Sequence, residues 1–309
     1  MKNNGENTNV YVLMSTYNGQ KYVEEQIESI LNQDNCNVTL IVRDDGSTDD
    51  TKKILKEYSR TNRILYIDDG ENLGPAQSFL RLVKLAPPDG LYAFADQDDY
   101  WKKNKISRAV DILKENNIPL VYYSNADVVD EHLNLLGKCV YQKKQIPTPE
   151  RIISGYGVQG CTMVFNNCLR EVLLKKDVSQ LHIGMHDYFV CDLCVVCGGH
   201  VIFDNASTMK YRQHGNNVLG FDTQTSGLKK VENSLKKLFM KTDDSIADDA
   251  NLLMQYEKWM TESGKSLTIR VQNYKDNIMI RIWLAASLMK PGFEKKELLK
   301  AIRVLLRNA

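Results

Sequence analysis

The chain has 309 residues, 43% of them hydrophobic and 26% charged, a composition that excludes a mainly disordered or repetitive protein. Forty lysines and arginines against 39 aspartates and glutamates leave a net charge of +1, so no bulk electrostatic pull toward nucleic acid exists. The charge is unevenly spread, −4 over residues 1–220 and +5 over residues 221–309.

Residues 1–9 are polar and lack the apolar core of a secretory signal, which predicts a cytoplasmic protein. Residues 10–14 read as a short buried strand. Residues 21–33 read as an amphipathic helix with Val23, Ile27, Ile30 and Leu31 on one face, and 38–42 as a second strand. A helix at 49–58, a strand at 64–67, a helix at 75–84, a strand at 91–95, a helix at 103–115 and a strand at 120–124 follow. This alternation predicts an α/β domain with a mainly parallel sheet, helices on both faces and sites at the carboxyl ends of the strands. From about residue 228 the pattern turns to helices without strands, at 228–240, 247–261, 274–289 and 294–307. A boundary near residue 220 is expected, between a domain of residues 1–220 and an α-helical region of residues 221–309. The apolar stretch 278–289 is about half the span a bilayer requires and contains Arg281, so no membrane-spanning helix is expected.

Polar clusters follow three of the strands. Asp44 and Asp45 stand on a strand-to-helix turn, where Ser47 or Asp49 could serve as the helix cap; carboxylates there can accept hydrogen bonds from ribose hydroxyls or a base N–H. Asp96, Asp98 and Asp99 place three negative charges in four positions directly after an apolar strand, and a hard divalent cation is their natural partner. No G-x-x-x-x-G-K-[ST] loop and no G-x-G-x-x-G follows the first strand, which argues against a P-loop or dinucleotide site. Seven cysteines, an odd number, without an export signal predict reduced thiols. Cys191, Cys194 and Cys197 imitate iron–sulfur or zinc spacing, with His200 as a conceivable fourth ligand, but they lie on an apolar helical stretch and read as core. His132, His182 and His200 read as surface or loop residues.

The motifs Ser15-Thr16-Tyr17-Asn18-Gly19, Val42-Arg43-Asp44-Asp45-Gly46-Ser47-Thr48-Asp49, Glu71-Asn72-Leu73-Gly74-Pro75 and Ala95-Asp96-Gln97-Asp98-Asp99-Tyr100-Trp101 resemble those of glycosyltransferase family 2, of GT-A fold. The Asp-Gln-Asp-Asp-x-Trp form followed by Lys105 resembles its bacterial rhamnosyltransferase branch. The likeness continues through Gly160-Cys161-Thr162, His186-Asp187-Tyr188 and the run Tyr211-Arg212-Gln213-His214-Gly215-Asn216-Asn217, covering about residues 8–220.

The resemblance implies a nucleotide-sugar site in which Tyr17 lies against the base, Asp45 hydrogen-bonds it, and Thr16 and Asp44 support the nucleoside pocket. Asn18, Asn72, Asp96, Gln97, Lys105 and His186 belong to the same implied donor site. Asp98, of the D-x-D pair Asp96 and Asp98, would bind a divalent ion, Mn²⁺ or Mg²⁺, with His214 approaching that ion or the diphosphate; an imidazole tilts the choice toward Mn²⁺. Asp187 would be the general base of an inverting transfer. The implied donor is a dTDP- or UDP-sugar, with dTDP-L-rhamnose favoured, and the acceptor a saccharide or lipid-linked saccharide. Tyr188-Phe189 stand where the family usually shows tryptophans, which bears on the acceptor pocket. A non-catalytic nucleotide-sugar-binding module is the alternative from another class. In the last helix Leu298, Leu299, Ile302, Leu305 and Leu306 share one face, and Lys296, Lys300, Arg303 and Arg307 another. This predicts a packed helix with a solvated basic face, or peripheral contact with an anionic membrane.

Overall fold

The computed structural model describes residues 8–114, 116–214, 246–291 and 293–306. Its first part alternates as expected: β1 (Asn9–Thr16), α1 (Val23–Leu31), β2 (Asn37–Asp44), α2 (Thr51–Arg60), β3 (Leu65–Ile67), α3 (Gly74–Leu85) and β4 (Leu91–Ala95). β1 pairs in parallel with β2 and β4, and β2 with β3. The registers Thr16↔Asp44 and Met14↔Ala95 bring all three polar clusters to one edge of the sheet. α1 holds its place because Val23, Ile27 and Ile30 recur at helical spacing and are wholly buried; each such side chain stabilises the fold by about 1.5–3 kcal/mol.

The second part runs through β5 (Tyr100–Trp101), α4 (Lys105–Leu113), β6 (Leu120–Val129), β7 (Leu135–Cys139), α5 (Pro149–Ile153), a 3₁₀ turn at Gly160–Thr162, β8 (Met163–Asn166), α6 (Asn167–Leu173), α7 (His186–Val196) and β9 (His200–Arg212). The sheet is mixed here. β8 lies antiparallel between β4 and β6, giving the order β3-β2-β1-β4-β8-β6-β9-β5 with β7 added on β6. β9 follows β6 in parallel through two register irregularities, then pairs antiparallel with β5, Tyr100 opposite Lys210. The end of this long strand reaches the loop after β4, where the Arg212 N–H donates to Asp99 Oδ1.

α8 (Ile246–Leu253), a 3₁₀ segment at Met254–Trp259, α9 (Glu262–Gln272), α10 (Ile278–Leu288) and α11 (Lys295–Leu305) close the chain. Their Leu253, Tyr256, Val271, Leu284 and Val304 belong to the same buried cluster as Phe189, Val190 and Leu193 of α7. α9 has no counterpart in the sequence reading. Thr261 caps it by accepting from the Gly264 N–H at 3.0 Å, and a Cβ on Gly264 would lie 2.0 Å from the Val196 carbonyl oxygen, so only glycine lets α9 abut the end of α7. The expected boundary near residue 220 and the expected helix 228–240 fall in residues 215–245, outside the described residues.

One expectation is corrected. α11 turns Glu297, Ala301 and Val304 inward, while Leu298, Leu305 and Leu306 are 41%, 38% and 47% exposed. Lys300 is on the inward side, its ammonium donating to the Gly155 carbonyl oxygen at 2.5 Å, and so is not part of a solvated basic face. The inward face was chosen by polar partners: a capping box ties Glu297 to Glu294, and Lys300 finds a carbonyl. Arg307 and the Lys296 side chain lie outside the described residues. No described helix is long and apolar enough to cross a membrane. All seven cysteines are free, with Cys191 and Cys194 buried in the core on α7; His132, His182 and His200 are exposed.

Candidate active site

The loops after β1 and β2 are laced together. Asn18 adopts φ +49°, its N–H donating to Ser47 Oγ at 2.8 Å while its side-chain oxygen accepts from Thr48 N–H at 2.8 Å. Asp44 is fully buried and accepts from Thr16 Oγ1 at 3.0 Å, Ser47 Oγ at 2.6 Å and Ser47 N–H at 2.8 Å. Asp45 accepts from the Leu73 N–H at 2.7 Å and the Gly74 N–H at 2.9 Å, which fixes the turn carrying exposed Asn72. At the start of α2 Asp49 accepts from the Thr51 N–H and hydroxyl, while Asp50, at the cap position itself, makes no side-chain cap bond.

The organiser of this corner is Arg43, a residue the sequence reading quoted without a role. Wholly buried, it donates to Asp45 at 2.6 Å, to both oxygens of Asp69 at 2.7 and 3.0 Å, and to Ser78 at 2.9 Å. Such a forked guanidinium sets direction as well as charge. An arginine inside the apolar run of β2 was the available signal.

Tyr17 is 50% exposed at the mouth of this corner. Its backbone N–H donates to Gln97 Oε1 at 2.9 Å and its carbonyl accepts from Gln97 Nε2 at 2.9 Å, so Gln97 clasps the β1 loop to the β4 loop. Gly19 permits the clasp, because a Cβ there would stand 2.1 Å from Gln97 Oε1.

Beyond Gln97 the carboxylates gather. Asp98 Oδ2 lies 2.7 Å from His214 Nε2, joining the β4 loop to the end of β9. Arg212 secures that junction: its Nε donates to the Asp98 carbonyl at 2.7 Å and its N–H to Asp99 Oδ1 at 3.1 Å. Asp96 is half-buried, and burial together with the Asp98 and Asp187 charges pushes its pKa up to about 7. Asp99 is fully buried with one oxygen lacking a partner among the described residues; burial and its neighbours Asp98 and Asp96 hold it well above the carboxylate range. Asp96, Asp99 and Cys161 bring ligand-capable atoms within 4.8 Å of one another, and Cys161 had no role in the sequence reading. Lys105 is wholly buried beneath the loop, 4.7 Å from the Trp101 ring centroid. Burial lowers its pKa to about 8 against the pull of Cys161 and Asp99. Like Thr16 and Asp44, it is kept from the surface.

Opposite stands the first turn of α7. Asp187 Oδ2 accepts from the Gly160 N–H at 2.9 Å and Oδ1 from the Tyr188 N–H at 2.9 Å, at the positive end of the helix dipole. Burial raises its pKa to about 6, with these N–H groups opposing the rise. His186 is stacked 4.1 Å from the Phe79 ring with Phe94 edge-on at 4.7 Å. Burial drives its pKa down to about 3, so the ring is neutral, and neither ring nitrogen has a partner among the described residues. A buried unpaired imidazole costs stability unless a ligand satisfies it.

The arrangement thus offers a laced polar corner, a carboxylate–imidazole pair, and a separate carboxylate facing them. The sequence motif for "Glycosyl transferase family 2" matches residues 11–173. A dTDP-rhamnosyl transferase, RfbG of Shigella flexneri, is 31% identical over 255 residues, 77% of this chain and 86% of that protein. The UDP-Glc:alpha-D-GlcNAc-diphosphoundecaprenol beta-1,3-glucosyltransferase WfaP of Escherichia coli is 26% identical over 77% of this chain and 89% of its own. Among solved structures, TarS 1–349 of S. aureus superposes with a TM-score of 0.51 at 16% identity, over 96% of this chain and 90% of that one. The mannosyltransferase PcManGT of Pyrobaculum calidifontis, solved with GDP-Man and Mn²⁺, does so with a TM-score of 0.51 at 14% identity, over 98% and 88%. Fold, motif match and relatives agree: the chain belongs to glycosyl transferase family 2 and is a glycosyltransferase of GT-A fold.

Proposed function

We propose that this glycosyltransferase is inverting and metal-dependent and moves L-rhamnose from dTDP-L-rhamnose onto a growing bacterial surface polysaccharide or its lipid-linked precursor. Residues 1–220 bind the donor and perform the chemistry, and residues 221–309 form a helical region. The observation that carries the reaction class is the Asp98–His214 pair at 2.7 Å set against the lone carboxylate Asp187 on a helix N-terminus.

A sugar hydroxyl is a poor nucleophile, so Asp187 accepts its proton as the hydroxyl oxygen bonds to the anomeric carbon and the bond from that carbon to the diphosphate oxygen breaks. One base opposite one leaving group gives a single displacement with inversion. The donor set fits a divalent ion: a carboxylate and an imidazole meet beside carboxylates that otherwise repel one another, and Asp98 with His214 would hold Mn²⁺ or Mg²⁺ there. The bound ion would neutralise charge gathering on the leaving diphosphate. Tyr17 stacks on the base and Asp45 hydrogen-bonds it; Thr16, Asn18, Asp44 and Asn72 shape the nucleoside corner. Asp96 and Gln97 border the ribose, His186 offers its unpaired ring to the donor sugar, and Lys105 acts from below through its charge.

The relative named as a dTDP-rhamnosyl transferase supports the rhamnosyl donor, and the one named for UDP-Glc supports a UDP-sugar as the second reading. The complexes of TarS with UDP and of PcManGT with GDP-Man and Mn²⁺ support a nucleotide-sugar and a divalent ion. A thermal-shift panel of nucleotide sugars, run with donor-turnover assays, tests the donor: dTDP-L-rhamnose with Mn²⁺ is expected to raise the melting temperature most and to be consumed. Greater stabilisation by a UDP-sugar moves the assignment to that donor, and binding without turnover supports the non-catalytic module.

The chain works at the cytoplasmic face of the membrane, where a lipid-linked acceptor resides. Ile278, Met279 and Ile282 of α10, Leu298 and Leu305 of α11 and Leu306 just beyond it are all exposed, and Arg281 donates to the Leu305 carbonyl at 2.9 Å, which sets the two groups side by side. Paired apolar stripes in a region of net positive charge suit shallow insertion into an anionic bilayer. Wild-type protein is expected to co-sediment with phosphatidylglycerol-rich liposomes, and a Met279→Gln, Ile282→Gln, Leu305→Gln variant to remain in solution. Equal behaviour of the two proteins removes the membrane role.

A further inference from the structure

We infer that Lys300 is a positioning residue for the transfer reaction: from the last helix it anchors the segment 155–160, whose far end orients Asp187. The inference rests on the reading of Asp187 as the general base.

Three glycines of this segment close on functional groups, Gly155 and Gly157 on one each and Gly160 on two. Gly155 has φ +80° and receives the Lys300 ammonium, which donates to its carbonyl oxygen at 2.5 Å; a Cβ there would stand 2.3 Å from Nζ. Gly157 receives Tyr188, whose hydroxyl would lie 2.4 Å from an added Cβ. Gly160 faces Asp187 and His186, with a Cβ placed 3.0 Å from His186 Nε2 and 3.3 Å from Asp187 Oδ2. The Gly160 N–H then donates to Asp187 Oδ2 at 2.9 Å.

Lys300 also lies 5.2 Å from the Tyr188 ring centroid, and the Tyr188 N–H donates to the other oxygen of Asp187. Both hydrogen bonds that aim the carboxylate therefore come from residues whose surroundings Lys300 holds. Asp192 from α7, Asp249 from α8 and Glu297 from its own helix attract the ammonium, while burial and the Arg303 charge oppose them and its pKa falls to about 8. Asp187 in turn faces Asp96 from the β4 loop and feels the Lys300 charge. A surface lysine satisfied by water would need neither a glycine cradle nor two acidic neighbours. The last helix is thereby part of the reaction's machinery, although the family motifs all lie before it.

The test uses the full-length protein. Lys300→Met keeps most of the stem and removes the charge and the donors. It is expected to lower kcat roughly ten- to hundredfold, the scale of a small misplacement of a reacting group. The donor KM and the Mn²⁺-dependent thermal shift with dTDP should stay within about twofold, a departure small on the tenfold-per-1.4 kcal/mol scale. Lys300→Arg, which keeps a cationic donor, is expected to recover most of the lost kcat. Gly155→Ala, which leaves the lysine but blocks its seat, provides the second route to the same kcat loss if the Met variant folds poorly. Unchanged kcat in both Lys300→Met and Gly155→Ala overturns the inference, as does a parallel fall of kcat, donor affinity and melting temperature. Inactive Asp187→Asn with fully active Lys300→Met defeats this inference alone, whereas active Asp187→Asn defeats the base assignment beneath it.

Discussion

Asp98→Ala is expected to abolish sugar transfer and to remove the metal-dependent part of nucleoside diphosphate binding. The variant loses the carboxylate that pairs with His214 at 2.7 Å. Its neighbours cannot replace it: Asp99 is buried beneath the loop, with the Arg212 N–H on one oxygen, and Asp96 faces Asp187 across the site. The backbone should survive, because the contact that anchors residue 98, from Arg212 Nε to its carbonyl, does not involve the deleted side chain. Asp96→Ala should be milder if Asp96 mainly contacts the ribose. Calorimetry of dTDP with and without Mn²⁺ checks both variants, and an Mn²⁺-dependent affinity in Asp98→Ala equal to that of wild type would sink the ligand assignment.

Asp187→Asn should preserve the fold and donor binding while reducing kcat on the order of a hundredfold or more, the scale of lost general base catalysis. The amide is nearly isosteric, yet it has one acceptor oxygen for the two N–H groups, of Gly160 and Tyr188, that the carboxylate accepts. A stability loss of about 1–3 kcal/mol from one unsatisfied donor accompanies the change. The pH profile separates that loss from the chemistry. As the proposed base Asp187 would act deprotonated, and burial raises its pKa to about 6, so wild-type kcat should climb as pH rises through about 6 and level off above it. The residual activity of the Asn variant should lack that limb. Normal turnover in this variant would show that another group takes the proton.

The parallel half of the fold was legible because its code is local. Apolar runs of five residues and helices with one buried face announce themselves in β1, α1, β2 and β4, and the polar clusters had to fall at the strand ends. β8 has only Met163–Asn166, and nothing in four residues says that it will run antiparallel between β4 and β6. α9 had no expected counterpart, and its Gly264 serves as a close approach to Val196, a contact between elements that local pattern does not carry. The last helix was misread for a related reason: a helical wheel shows which residues share a face, but Asp192, Asp249 and Gly155, which draw Lys300 inward, belong to other elements. In the site, Asp98, Asp187 and His214 were named through the family resemblance. Arg43, Cys161 and Lys300 were given no role there, because the groups they meet lie far away in the chain.

The course of β9 also sets when the protein acquires its chemistry during synthesis. Asp98 and His214 are 116 residues apart in sequence, and at a translation rate of about 5–20 residues per second the second follows the first by on the order of ten seconds. Over part of that interval β4 has an open edge, which waits for Met163–Asn166 to pair with it, and unpaired strand edges invite association with other chains. Asp96, Asp98 and Asp99 are neighbours on one loop from the start, but the Arg212 and His214 contacts that offset their mutual repulsion become available only once the end of β9 has been made. Gly155 likewise waits a further 145 residues for Lys300, so the contact that ties the segment 155–160 to the last helix is among the last that synthesis makes possible.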